Sequence, residues 1–227
     1  MSLIIPFIDI HSHGNKKTES GIVSVQNLLA GEMIPNDTDR FYSVGIHPWQ
    51  LEDGNIDQLK QAFQDSVKNP QVVAIGEAGL DKAIKTPIET QIPVFRMQIE
   101  LAETTKKPLI IHAVRTFGEI IQLRKSTKAK GIWIVHGFRG GHETALQLLK
   151  QGISLSFGSA LLKEDEKLLS ALIIVPNEQL FLETDESNGN IEEIYQKAAD
   201  CRMLSLDALK SGIFANFARC FKIKFDE

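Results

Sequence analysis

Short apolar runs recur along this chain, and most are separated by stretches whose apolar residues return every three or four positions. The runs at 4–10, 22–26, 42–46, 72–76, 109–112, 132–136, 153–157 and 180–183 predict strands. Val72-Val73-Ala74-Ile75 and Leu109-Ile110-Ile111 are apolar without alternation, which suits strands covered on both faces. Helical periodicity predicts helices over 55–68, 87–106, 116–125, 142–151, 164–173, 191–201 and 205–221. In the second of these, Ile92, Phe95, Ile99 and Ala102 form the apolar stripe. In the last, Ser205 opens the helix and Leu209, Ile213, Phe217 and Phe221 line one face. Strands alternating with helices mean an α/β fold with a parallel sheet, and this many strands in one domain length predicts a (β/α)8 barrel. Only about eight residues separate His13 from the second strand, too few for a crossover helix. The barrel is therefore expected to be distorted, with its first repeat abbreviated and 14–40 either irregular or carrying a strand that pairs differently.

Composition adds limits to that picture. With 227 residues, 43% hydrophobic and 24% charged, the chain can bury a large core as a single domain, 1–227, without disulfides. A net charge of −4 excludes a broadly basic nucleic-acid surface, so a polyanion would have to be met locally. The two cysteines, Cys201 and Cys220, fall in helical segments, which suits a reducing, cytoplasmic setting. No apolar run is long enough to span a bilayer, no signal-peptide pattern opens the chain, and no obligatory protein partner is evident.

Candidate chemistry gathers where the strands end. His11 and His13 are spaced i, i+2, so in an extended chain their imidazoles share one direction. Of the six histidines, His11, His13, His47, His112 and His136 stand at strand C-terminal ends, and His142 opens a helix. Glu77 and Asp185 also follow strands. A parallel barrel gathers these ends on one face, where enzymes of this fold place their chemistry. His11, His13, Glu77, His112, His136 and Asp185 form a nitrogen and oxygen donor set for divalent ions. Six ligands exceed one tetrahedral site and suit two ions, about 3.5–4 Å apart, that share a carboxylate. Four histidines favour zinc, while shared carboxylates allow magnesium or manganese.

In this order the motifs resemble the TatD-type metal-dependent deoxyribonucleases over nearly the whole chain. Asp9-Ile10-His11-Ser12-His13, Gly45-Ile46-His47-Pro48 and Gly76-Glu77-Ala78-Gly79-Leu80-Asp81 carry the likeness first. Gln91, Phe95 and Gln98 follow, then Lys107 to His112, Val135-His136-Gly137-Phe138-Arg139-Gly140, and Leu182-Glu183-Thr184-Asp185. The resemblance implies a distorted TIM barrel and a nuclease that cleaves phosphodiester bonds of DNA, or RNA, with a water activated by two metal ions. It assigns His11, His13, Glu77 and Asp185 to one ion, and Glu77, His112 and His136 to the other. Glu77 would bridge, and Asp185 would take the proton from the attacking water. The chain departs from the family at Val114-Arg115, at Arg139 and at Glu186-Ser187-Asn188, all in loops that would meet substrate.

Arg115 and Arg139 are candidates to touch phosphate, as are Lys16, Lys17, Lys82 and the helix start after Gly140-Gly141. His47 is a candidate to bind substrate, or to support the ligands from behind. Trp49 is a candidate to stack on a base or to pack at the rim. Two other readings compete. One is an amidohydrolase-like enzyme acting on a small C–N or C–O substrate, and the other an inactive metal-binding scaffold.

Overall fold

The structure is a computed structural model, and it describes residues 5–14, 21–36, 40–52, 55–187 and 189–225. Its strands are β1 (Phe7–Ser12), β2 (Ile22–Leu29), β3 (Phe41–Gly45), β4 (Val72–Asp81), β5 (Leu109–Val114), β6 (Trp133–Val135), β7 (Ile153–Phe157) and β8 (Leu180–Leu182). Its helices are α1 (Ile56–Ser66), α2 (Ile88–Thr105), α3 (Phe117–Thr127), α4 (His142–Leu149), α5 (Glu166–Ile174), α6 (Ile191–Arg202) and α7 (Leu206–Phe221). Strand order in the eight-stranded sheet follows chain order.

Every expected strand and helix is present. Among the described residues no helix lies between β1 and β2 or between β2 and β3, which agrees with an abbreviated first repeat. Ile4, Lys16, Lys17 and Asn188 lie outside the described residues. One strand is longer than its apolar run: β4 continues past Gly76 to Asp81. Its far half is buried throughout, with Ala78 and Leu80 in the core, and Gly76 and Gly79 stand inside the strand.

The chain forms two compact units, Met1–Val25 with His136–Glu227, and Gln26–Val135. Within Gln26–Val135, β3, β4, β5 and β6 pair in parallel. Tyr42, Ile75, Leu80, Phe95, Ile110 and Trp133 are buried in this core. Asn55 caps α1 by accepting from the N–H groups of Asp57 and Gln58, which satisfies donors that the first turn leaves unpaired. Gly79 pairs with His112 across β4 and β5, and a Cβ there would lie 2.0 Å from the His112 carbonyl oxygen. No residue with a side chain allows this approach.

In the other unit β7 pairs with β8 in parallel, and Ser12 bridges to Asp185. Asp165, Asn190 and Ser205 cap α5, α6 and α7 through their side-chain oxygens. From α6 the buried Tyr195 hydroxyl accepts from the Ile8 N–H at 3.1 Å and donates to the Ile8 carbonyl at 3.0 Å. One phenol thus serves both main-chain groups of a β1 residue. Burial pushes the pKa of that phenol well above its ordinary value. Cys201 and Cys220 are free thiols on α6 and α7. Among the described residues no helix is long and apolar enough to cross a membrane.

Candidate metal centre

Alternation along β1 puts Asp9, His11 and His13 on one side of the chain. Asp9 is buried and accepts from Thr184 twice, from its N–H at 3.0 Å and from its hydroxyl at 2.6 Å. Next to that grip the main chains pair. Asp185 N–H donates to the His11 carbonyl at 2.9 Å, and His13 N–H donates to the Asp185 carbonyl at 3.2 Å. Asp185 has φ 54°, a left-handed conformation that these bonds hold.

The side chains then converge. His11 Nε2 and His13 Nε2 are 3.1 Å apart, and Asp185 Oδ1 lies 3.7 Å from the first and 3.6 Å from the second. Ligands on a tetrahedral ion with bonds of about 2.0–2.1 Å stand about 3.3 Å from one another. The triangle's edges, 3.1 to 3.7 Å, lie on either side of that value. His11 is fully buried, whereas the side chains of His13 and Asp185 are 28% and 32% exposed. This triangle has a buried base and an accessible rim.

His136 follows β6 and stacks near His11, with ring centroids 4.3 Å apart. Its Nδ1 is 3.4 Å from Oε1 of Glu183, which also accepts from the Gly137 N–H at 2.5 Å. Burial alone would raise the pKa of the Glu183 carboxyl. Contact with His136 and the nearby His11 outweigh it and hold the group below the ordinary carboxylate range. His136, Glu183 and Asp185 form a second set of donor atoms close enough to share an ion.

In the Gln26–Val135 unit, alternation along β4 puts Glu77, Gly79 and Asp81 on one side. Glu77 N–H donates to Asn27 at 2.6 Å. Its Oε1 lies 2.6 Å from His112 Nδ1 and 3.2 Å from His47 Nε2. His47 starts a 3-10 turn over Pro48–Leu51, and its Nδ1 accepts from the Trp49 N–H at 3.2 Å. A neutral imidazole that accepts at Nδ1 carries its proton on Nε2, here facing Glu77. Gln98 of α2 holds the preceding residue by accepting from the Ile46 N–H and donating to the Ile46 carbonyl.

Asp81 completes this cluster. Its Oδ2 lies 3.2 Å from His112 Nε2 and accepts from the Trp49 indole N–H at 3.0 Å, while Oδ1 accepts from the Ala83 N–H at 2.7 Å. Gln91 grips the Asp81 main chain by accepting from its N–H and donating to its carbonyl. Burial raises the Asp81 carboxyl, but the bonds from Trp49, Ala83 and His112 together bring it below the ordinary range. His47, Glu77 and His112 also offer donor atoms close enough to share an ion.

The expected ligands thus fall into two groups, His11, His13, His136 and Asp185 in one unit, and Glu77 and His112 in the other. His47 sits against Glu77. Arg115 and Arg139 occupy exposed loop positions after β5 and β6. Lys82 is paired with Glu119. Asp9, Asp81 and Glu183 were not among the candidates; Asp9 stands two residues before His11 on β1 and Asp81 four after Glu77 on β4, the one signal the sequence carries for them.

A family model described as TatD related DNase matches residues 20–222. This chain belongs to that family. Among its TatD relatives, a Bacillus subtilis protein named as the uncharacterized metal-dependent hydrolase YabD is 29% identical over 210 residues, covering 86% of this chain and 82% of YabD. A Rahnella protein named 3'-5' ssDNA/RNA exonuclease TatD is 28% identical over 173 residues, covering 73% of this chain and 65% of the relative. The crystal structure of YjjV, a TatD homolog from Escherichia coli K12, matches with a TM-score of 0.84 at 22% identity, over 98% of this chain and 100% of YjjV. That likeness shows the fold, a TIM-barrel (β/α)8 fold of the TatD type, as the sequence predicts. The histidine, aspartate and glutamate donors of both units fit a divalent ion.

Proposed function

We propose that this chain is a metal-dependent nuclease of the TatD type that hydrolyses phosphodiester bonds in single-stranded DNA and RNA. The His11, His13 and Asp185 triangle carries this reading, because its edges are close to those of a tetrahedral ion's ligands. We assign His11, His13, Asp185 and Glu77 to one divalent ion and His112, His136 and Glu77 to a second, with zinc as the first choice and magnesium or manganese as alternatives. Such ions supply Lewis acidity at the phosphate and make a water easier to deprotonate.

The chain's own residues do the rest. Asp185 is part-exposed at the rim of its triangle, so it can accept the proton of the attacking water. His47 has both ring nitrogens engaged, by Trp49 and by Glu77, and this favours a role in orienting Glu77 over contact with substrate. Arg115 and Arg139 are exposed and would meet phosphate oxygens. We take residues 1–227 as one catalytic domain acting in the cytoplasm without an obligatory protein partner. The name of the Rahnella relative, an exonuclease on single-stranded DNA and RNA, supports the choice of substrate.

The test is digestion of end-labelled single strands by zinc-loaded and chelator-treated protein, beside a panel of cyclic amides and lactones. Shortening of labelled DNA or RNA that stops on chelation and returns with the ion is the expected result. Turnover of an amide or lactone with both nucleic acids untouched would overturn the proposal.

A further inference from the structure

His112 stands between two carboxylates. Its Nδ1 is 2.6 Å from Glu77 Oε1, and its Nε2 is 3.2 Å from Asp81 Oδ2. A neutral imidazole has one N–H and one lone pair, so it can present a lone pair to an ion on only one side. Glu77 is a proposed metal ligand, hence the lone pair belongs at Nδ1. The proton then belongs at Nε2, where Asp81 is the acceptor.

We infer that Asp81 is a positioning residue that fixes the His112 tautomer and ring orientation for metal binding, and that the Trp49 indole holds Asp81 in place. This deepens the reading above, since it rests on His112 being a metal ligand. Three observations support it. Asp81 is itself oriented, with Ala83 N–H on one oxygen and the Trp49 indole N–H on the other. Its main chain is clamped at both N–H and carbonyl by the buried Gln91. The contacts also close on themselves, because Trp49 N–H holds His47 Nδ1, His47 Nε2 faces Glu77, and Glu77 faces His112. Trp49 is 57% exposed, yet its polar edge is used inside this ring. A carboxylate behind a ligating histidine raises ligand basicity and fixes geometry, and its loss typically lowers metal affinity by about 10- to 100-fold.

Asp81→Asn is the informative change. An asparagine has one acceptor oxygen. If that oxygen faces Ala83, the amide N–H₂ meets the indole N–H and donates to His112 Nε2, which moves the imidazole proton to Nδ1. If the amide is turned, it meets the Ala83 N–H instead. Either way an N–H is left facing another N–H.

Zinc affinity, measured by chelator competition on the full chain, should fall about 10- to 100-fold in Asp81→Asn and Asp81→Ala. Trp49→Phe, which keeps the ring and removes the indole N–H, should show a smaller loss. Melting of the metal-free variants separates a positioning role from a folding defect. Nitrogen-15 shifts of zinc-loaded wild type should report His112 with zinc at Nδ1 and the proton at Nε2. Wild-type affinity in both Asp81 variants, or a His112 proton found on Nδ1, overturns the inference while leaving the nuclease proposal standing. A wild-type chain that binds no divalent ion overturns both.

Discussion

Asp185 reaches its place through the main chain, and Glu77 reaches its place through side chains. The Asp185 segment is paired to β1 by two backbone hydrogen bonds and by the Asp9 grip on Thr184. Its carboxylate then stands at a part-exposed rim beside His13. Glu77 is buried, with His47 and His112 on one oxygen and Asp81 and Trp49 behind them. The first arrangement leaves a carboxylate that solvent can reach, which proton transfer requires. The second leaves one that solvent hardly reaches, which suits a ligand held at fixed geometry. Two acidic residues of similar chemistry are thereby given different surroundings, one open to solvent and one enclosed.

The strongest way to break this contrast is to remove each carboxylate. Glu77→Ala should take hydrolysis to background and weaken zinc binding as well. Asp185→Asn should lower turnover by about 10²- to 10⁴-fold, the range for loss of a general base, with a smaller effect on zinc content. Rate assays paired with metal analysis check both. Near-normal turnover in Asp185→Asn would remove it from the proton-transfer role, and wild-type zinc content in Glu77→Ala would end the bridging assignment.

A middle-sized effect is expected at Glu183. It backs His136 in one cluster as Asp81 backs His112 in the other. Glu183→Gln should reduce zinc affinity by about 10- to 100-fold. An unchanged affinity would show that the two backing carboxylates are not equivalent.

The smallest effects should come from the exposed arginines. Arg115→Ala and Arg139→Ala should each raise KM for single strands, leave kcat nearly unchanged, and reduce the slope of binding against salt by about one. Titrations of labelled strands at several salt concentrations check this. If only one of the two responds, the substrate path runs over the loop after β5 or the loop after β6.

Much of this was readable in the chain. The strands showed because runs such as Leu109-Ile110-Ile111 are apolar without alternation, and the helices showed because Ser205 and Asn55 stand where caps are needed. The clustered donor side chains showed because histidine at the end of one apolar strand after another is hard to explain blandly. The far half of β4 was hidden, since Gly76 and Gly79 look like breakers. Gly79 is instead the place where β5 comes too close for any Cβ. Asp81 and Glu183 were hidden for another reason. A carboxylate near a strand end reads equally as a cap or a surface pair, and only distances to His112 and His136, residues far away in the chain, give it a partner. Trp49 could be read as a base platform or as rim packing, and its indole hydrogen bond to Asp81 is invisible to any pattern of apolar spacing.

The Tyr195 phenol on Ile8 has a consequence for how motion would spread to His11. β8 ends at Leu182, and β1 meets the chain beyond it at the Ser12–Asp185 bridge, so the Ile8 amide is protected by a helix side chain. Hydrogen exchange at that amide therefore needs α6 to lift from β1, and its rate reads out the docking of α6. A fluctuation that frees Ile8 loosens the strand three residues before His11, so the helix acts as a brake on the end of β1 that carries His11.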